Sequence, residues 1–502
     1  ILHAAMLNEP YVQAAFSSTE TKQMLSRLLT QGADQGNDPL AYRRWNDEMS
    51  KLDLAYLFAA GQDMTAAVQE ATQLLANVSP SAQYAWSLST KWGDIVLTGG
   101  TPTETNGRKI LLMIDTGGND TYINCPTQVD ASHWLSILID TDGDDKYLSH
   151  SSLAKTSVRE TLARNGDRNN RGPGLAHFGI TIIMDTKGDD LYRSLAPAFG
   201  AGIFGVGVLV DRAGSDTYDA YADSIGFGKF GLGILEYVDG SDTYSGFTQT
   251  QGVGLPGGVG WLLDRGGDDV YVAENELIDF PSPQTAEHNV SMSQGAGNGV
   301  RLDYINGRSQ AGGVGLLFDL AGNDKYSCGV FGQGVGYWSG VGALWDRSGN
   351  DEYSGIWYAQ GSAAHFGIGY LRDGAGNDKY TGQINMTQGA GHDFSLGMLI
   401  DDQGDDEYFA NSLALGGGNA NGFGVFLDLA GNDKYSVTGS AVLGQANLPP
   451  EGSLRQVALT LGLFYDASGN DTYPPKYEWA KNGARGTTAP VSKVTAGIFF
   501  DR

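Results

Sequence analysis

Two cysteines in 502 residues are too few to staple this chain, so disulfides do not define its fold. Proline is sparse at 15, and histidine rarer still at 7. No run of about 18 apolar residues occurs, which excludes a membrane-spanning helix. Basic side chains number 32 against 58 acidic ones, leaving a formal charge of −26. A surface of that sign repels phosphate backbones, which excludes nucleic acid as a partner and favours cations or a basic protein. The sequence starts at Ile1 without a charged segment followed by an apolar one; the expectation is a processed or trimmed chain, in keeping with export. No Ser-His-Asp spacing, phosphate loop or zinc signature is found.

Glycine, by contrast, is abundant: 73 residues, about twice the usual share. Without matching proline or a three-residue period it indicates neither collagen nor a flexible linker. It has to serve turns and close backbone approach. The reason is an internal repeat, Asp-x-x-Gly-x-Asp-x-Tyr. Copies begin at Asp115, Asp140, Asp185, Asp211, Tyr237, Asp264, Asp319, Asp346, Asp373, Asp401, Asp428 and Asp466, with a partial one at Asp501. Position four is always Gly, position six always Asp and position eight always Tyr, so one position uses 12 of the 24 tyrosines.

Two residues before each motif stands a large apolar side chain, from Met113 to Phe499. Four before stands Gly in ten of thirteen copies, Gly207, Gly315 and Gly424 among them. The residue immediately before is mixed, with Trp345 and Arg372 as examples. Apolar at one parity and variable at the other predicts a half-buried strand running into each motif. Asp-x-x-Gly is then a turn: the carboxylate accepts backbone N–H groups and Gly takes the left-handed position. A second strand follows, its Tyr pointing inward. Gln-Gly recurs between motifs (Gln251, Gln294, Gln333, Gln360, Gln388) and is expected to mark a third strand edge with stacked glutamine amides.

Uninterrupted copies are 26 to 28 residues apart, as at 211, 237 and 264. That length suits three short strands and three turns, one coil of a parallel β-helix; it is short for a propeller blade and lacks helical periodicity. The predicted fold is mainly β, a right-handed parallel β-helix of about 12–14 coils over residues 93–502. Insertions fall near 148–175, 272–310 (with a degenerate coil around Asp303), 440–456 and 474–494. Residues 1–92 read as a small helical cap over the first coil. Ser17-x-x-Glu20 is a capping box ahead of Met24, Leu25, Leu28 and Leu29; Asp38-Pro39 opens a second helix towards Gly61; Asp63 caps a third.

Stacked coils place equivalent residues roughly 4.8 Å apart. Positions one and six therefore become two files of carboxylates: Asp115, Asp140, Asp185, Asp211, Asp264, Asp319, Asp346, Asp373, Asp401, Asp428 and Asp466 in one; Asp120, Asp145, Asp190, Asp216, Asp242, Asp269, Asp324, Asp351, Asp378, Asp406, Asp433 and Asp471 in the other. Setting these 23 aside from the 58 acids leaves 35, nearly balanced by 32 basic residues. Neighbouring carboxylates at that spacing repel by about 1 kcal/mol in water and more at a protein surface. Two offsets are open. Calcium takes six to eight oxygens from carboxylates and turn carbonyls; alternatively each Asp caps its own turn and the charge is solvated. One carboxylate can do both.

Gly117-Gly118-Asn119-Asp120-Thr121-Tyr122 and Gly266-Gly267-Asp268-Asp269-Val270-Tyr271 resemble the calcium-binding nonapeptide repeats of RTX proteins. The likeness covers about five residues per coil, and these copies recur at three times the nonapeptide distance, so RTX ion geometry does not transfer. It implies that Asp120 and its equivalents are calcium ligands and that the setting is secreted, cell-surface or periplasmic.

Other features are weaker. His133, His177, His365 and His392 share a phase of the repeat, and stacked imidazoles can hold a metal or move protons, though such a histidine more often caps a turn or packs beside the following aromatic. Arg159, Arg164 and Arg168 sit in the first insertion and, with His365 and His392, are the candidate substrate contacts. The expected function is an exported, calcium-stabilised structural or binding module whose partner is a glycan, a cell-surface protein or further copies of the chain. A calcium-dependent polysaccharide lyase and a surface-layer or filament subunit are the alternatives; β-helical shape alone does not choose among them. Cys125 and Cys328, in motifs many coils apart, should be free thiols.

Overall fold

The computed structural model describes residues 1–15, 53–127, 133–149, 171–301 and 309–502. It is mainly β, built chiefly from parallel strands in three long sheets, with two α-helices among the described residues, α1 (Leu2–Ala15) and α2 (Leu54–Leu75). The chain divides into two compact units, 1–236 with 301–310, and 237–300 with 311–502.

Each unit repeats one coil. A leading strand runs up to the motif's first residue, a tyrosine strand leaves after its sixth, and a short strand follows Gln-Gly. In the first unit the leading strands Gly93–Gly99, Ile110–Asp115, Leu135–Asp140, Ile180–Met184, Val206–Val210 and Leu232–Glu236 pair parallel in register. In the second unit eight do so: Val259–Leu263, Val314–Asp319, Val341–Asp346, Ile368–Asp373, Leu396–Asp401, Phe423–Asp428, Thr460–Asp466 and Thr495–Asp501. Tyrosine pairs with tyrosine along the second sheet, for example Tyr326 with Tyr353 and Tyr353 with Tyr380.

The inward parity builds the core. Leu317, Leu344, Leu371, Leu399, Phe426 and Phe464 are fully buried, as are the motif tyrosines from Tyr244 to Tyr435. Their rings lie face to face with centroids 4.7–5.2 Å apart in the second unit. The fourth-position glycine is dictated twice over. Gly404 has φ +159°, and a Cβ there would stand 1.8 Å from the carbonyl oxygen of Gly376 one coil back. No side chain fits.

Three expectations need correction. The half-buried reading holds in the second unit, where leading strands alternate buried and partly exposed, but strands such as Leu135–Asp140 and Ile180–Met184 are buried on both faces. The cause is the position of the helices. They lie along the flank of the first unit: Ala5, Val12, Leu57, Ala60, Met64 and Val68 form one core with Leu112, Ile137, Ile139, Ile182, Val206 and Val208. The first rung's edge is instead closed by strand Tyr84–Thr90, antiparallel to Gly93–Gly99. Second, α2 runs unbroken through Gly61 and Asp63 from an N-cap at Asp53, whose carboxylate accepts the Ala55 N–H. Gly61 sits where a Cβ would meet Val206 at 2.8 Å, so it marks close helix–sheet approach and not a stop. Third, the glutamines do not stack amide on amide. Gln360 Nε2 donates to Tyr353 O (3.2 Å) and to Thr381 O of the next coil (3.1 Å), and Gln251, Gln294, Gln333 and Gln388 repeat the bridge.

The Ser17 capping box, the second predicted helix up to residue 52, most of insertion 148–175 and the degenerate coil at Asp303 lie outside the described residues. Both cysteines are buried free thiols, with burial pushing each up to about 12.

Candidate metal centre

The two carboxylate files are formed as the repeat demands, and each oxygen has its own assignment. At position one, Oδ1 caps the turn in several copies: Asp319 accepts the Ala321 N–H at 3.2 Å and Asp373 the Ala375 N–H at 3.2 Å. Oδ2 accepts the tyrosine hydroxyl of the preceding coil, as in Tyr271 to Asp319, Tyr326 to Asp346, Tyr353 to Asp373 and Tyr380 to Asp401, all at 2.7 Å.

Position six departs from the turn-cap expectation. Its Oδ1 accepts a backbone N–H from the coil before: Asp269 N–H to Asp324 (2.6 Å), Asp324 to Asp351, Asp351 to Asp378 and Asp378 to Asp406 (each 2.7 Å). The same ladder runs through Asp120, Asp145 and Asp190 in the first unit. It ends at Asn482, whose Oδ1 accepts the Asp471 N–H at 2.9 Å. A second ladder on the outside runs the other way. Asn350 N–H donates to Asn323 Oδ1 (3.0 Å), and Asn377 N–H to Asn350 Oδ1 (2.9 Å). Position five, a variable position in the repeat as written, is Asn, Asp or Ser in every copy, and that composition is the sequence signal for this ladder.

What remains is the second oxygen of position six. Oδ2 of Asp120, Asp145, Asp190, Asp269, Asp324, Asp351, Asp378, Asp406 and Asp433 is buried without a hydrogen-bond partner, in residues 0–3% exposed. Oδ1 of Asp401, Asp428 and Asp466 is in the same position. The carboxylates themselves converge: in each of the sets Asp145/Asp185/Asp190, Asp242/Asp264/Asp269 and Asp269/Asp319/Asp324, one carboxylate oxygen per residue lies within 4.8 Å of the others. Every donor is oxygen. Basic side chains stay on the surface: Lys187 pairs with Asp142, Arg193 with Asp219 and Arg372 with Asp402.

Burial first, and then the neighbouring carboxylates, push these acids up. Asp324 rises to about 9, beside Asp319 and Asp351; Asp378 to about 10, beside Asp373; Asp406 to about 9, beside Asp401. Asp319 rises to about 8, although Tyr271 and its own turn pull it down. The described arrangement therefore needs either protons or cations in each coil, since an unpaired buried charge is costly. Clustered buried Asp of this kind can hold a metal ion, and the all-oxygen donor set suits a hard one.

The other candidates are placed differently. Arg159, Arg164 and Arg168 lie outside the described residues. His133 packs in the core with Nε2 2.5 Å from Ile110 O, and His177 is held down to about 3 by burial and by Arg171. His365 and His392 do meet, ring centroids 5.6 Å apart and perpendicular. His365 Nδ1 is 2.6 Å from Asp393 Oδ2, and Arg455 reaches Asp393 Oδ1 at 2.5 Å. Burial works against the Asp393 carboxylate, but Arg455 and His365 hold it below the usual range. Arg455 also donates to Ala420 O, and Asn421 Nδ2 donates to Arg455 O (2.8 Å) and Ala458 O (2.7 Å). This cluster pins the 3₁₀ turn Leu454–Val457 to the coil.

Comparison with protein-family models, with curated proteins and with solved structures finds no match for this chain.

Proposed function

We propose that the paired carboxylate files bind a row of calcium ions, and that the chain is an exported, calcium-stabilised β-solenoid acting as a structural or binding module. The observation that carries this reading is the file of position-six Oδ2 atoms, buried and unpartnered, in residues whose carboxylates cluster with those of position one. Ionised and unpaired, such a file would unfold the protein; a divalent cation converts the repulsion into coordination. Calcium fits best because its ligands are oxygens in irregular geometry at about 2.3–2.6 Å, which brings coordinating oxygens within roughly twice that distance of one another. Magnesium demands a stricter octahedron and keeps its waters. Export supplies calcium at the concentrations weak extracellular modules use.

The test is direct. Protein purified with calcium, dialysed and assayed for metal should retain several ions per chain, and a chelator should lower the melting temperature. Asp351→Asn with Asp378→Asn should reduce the ion count. A chain that holds no calcium and melts alike with and without chelator would show that protons alone neutralise the files.

A further inference from the structure

We propose that the outward face of the leading sheet in the second unit is the contact through which two copies of this chain pair. Its eight strands place three side chains each on the outside, and of those 24 positions only Arg372 is charged. Trp261, Phe318, Trp345, Tyr370, Met398 and Val425 are representative, and Ile368 and Phe423 are exposed outright. Trp261, Phe318 and Trp345 form an edge-to-face row with centroids 5.9 and 5.7 Å apart. Arg372 bonds Asp402 through two nitrogens (2.7 and 3.1 Å) and so brings no unpaired charge.

Two comparisons within the molecule show that this composition is not what a free face of the coil looks like. The tyrosine sheet of the same unit faces outward with Lys325, Glu352, Lys379, Glu407 and Lys434, alternating in sign in register along the stack. The equivalent leading face of the first unit is equally apolar, and there it is covered by α1 and α2. An apolar leading face is thus a covered face wherever its cover is described. Aromatic side chains, enriched in the second unit's face, are those that concentrate at protein interfaces.

Area and charge select a second copy. Eight strands at about 4.8 Å and six residues at about 3.3 Å give roughly 760 Å² per chain, or about 1,500 Å² for a pair. That lies inside the range of roughly 1,200–2,000 Å² for stable interfaces. Stacked sheets pack face to face about 10 Å apart. The formal charge of −26 does not forbid pairing: 23 of those charges sit on the two files, all but Asp471 buried, and neutralised by ions or by protons they leave about three.

The experiment is sedimentation velocity across a concentration series, with the full chain. The unaltered chain should sediment with the mass of two chains and dissociate on dilution; acrylamide quenching of tryptophan should weaken as the dimer forms, since Trp261 and Trp345 become covered. Met398→Glu with Val425→Glu should weaken association at least 100-fold, and Ser354→Glu on the polar sheet should leave it unchanged. The quenching series needs no variant, so it stands even if the double substitution misfolds. A chain that stays monomeric at high concentration overturns the proposal, whether or not it then takes up an amphipathic helical peptide or a lipid vesicle. A dimer with unchanged tryptophan quenching, or one that survives the double substitution in folded protein, overturns it as well.

Discussion

Removing cations should turn the pH dependence of this protein upside down. In the metal-free chain the buried acids are held by burial and like charge well above the ordinary carboxylate range; Asp185 and Asp351 both rise to about 7. Because their folded pKa lies above the unfolded value near 3.8, the folded state holds more protons than the unfolded one between those limits. Their contribution is complete below about pH 4 and is lost as pH rises towards 7. Each such group costs about 1.4 kcal/mol per pH unit across that window. A few such groups together reach the order of the whole stability of many domains, about 5–15 kcal/mol. Chelated protein should therefore melt highest near pH 4 and progressively lower towards pH 7. Excess calcium should reverse the slope, because its ligands must be deprotonated and binding releases their protons. Near-ultraviolet circular dichroism of the tyrosine stack at four pH values, with chelator and with calcium, reads both slopes. A chelated protein whose melting temperature climbs from pH 4 to 7 would refute the claim that these carboxylates are buried without compensation.

Smaller perturbations check the ladders one by one. Tyr353→Phe removes the hydroxyl that donates to Asp373 Oδ2 at 2.7 Å and should cost about 1–3 kcal/mol in chemical denaturation. Gly404→Ala drives a methyl group into the Gly376 carbonyl and should cost at least about 3 kcal/mol or yield no soluble protein, whereas an alanine at the open Gly486 should cost under about 1 kcal/mol. Gln360→Ala strands the carbonyls of Tyr353 and Thr381 and should cost about 1–3 kcal/mol, with Gln383→Ala, on the exposed side, as a near-neutral control. Breaking the Lys379–Glu352 pair, 3.8 Å apart and half exposed, should change the melting temperature little.

The coil was legible because its constraints are local and repeated. Gly at position four and Tyr at position eight report a backbone approach and a buried ring directly, so the rungs and the carboxylate files followed from sequence alone. Longer-range features did not. Nothing at Gly61 distinguishes a helix end from a helix pressed against Val206; only the sheet opposite decides. Whether Ile139 and Met184 face water or a helix depends on where α1 and α2 lie, and the coil's own pattern carries no record of that. A periodic Gln is equally compatible with amide stacking and with capture of carbonyls; only the carbonyls of Tyr353 and Thr381 that the folded coils bring to Gln360 Nε2 decide between them. At position five the composition alone carries the signal, but Asn, Asp and Ser look interchangeable until their oxygens are seen accepting the same amide.

The antiparallel strands at the margins of the leading sheets bear on how such a repeat avoids running away. A stack of identical parallel rungs is a template onto which another copy's rung could add without limit. Tyr84–Thr90 and Arg485–Ser492 run against the grain, so an incoming rung meets reversed polarity and the repeat's register is lost. In the second strand Pro490 withholds an amide and Arg485 adds charge, both known deterrents to strand addition. Growth by end-on templating is thereby hindered at those margins of the leading sheets.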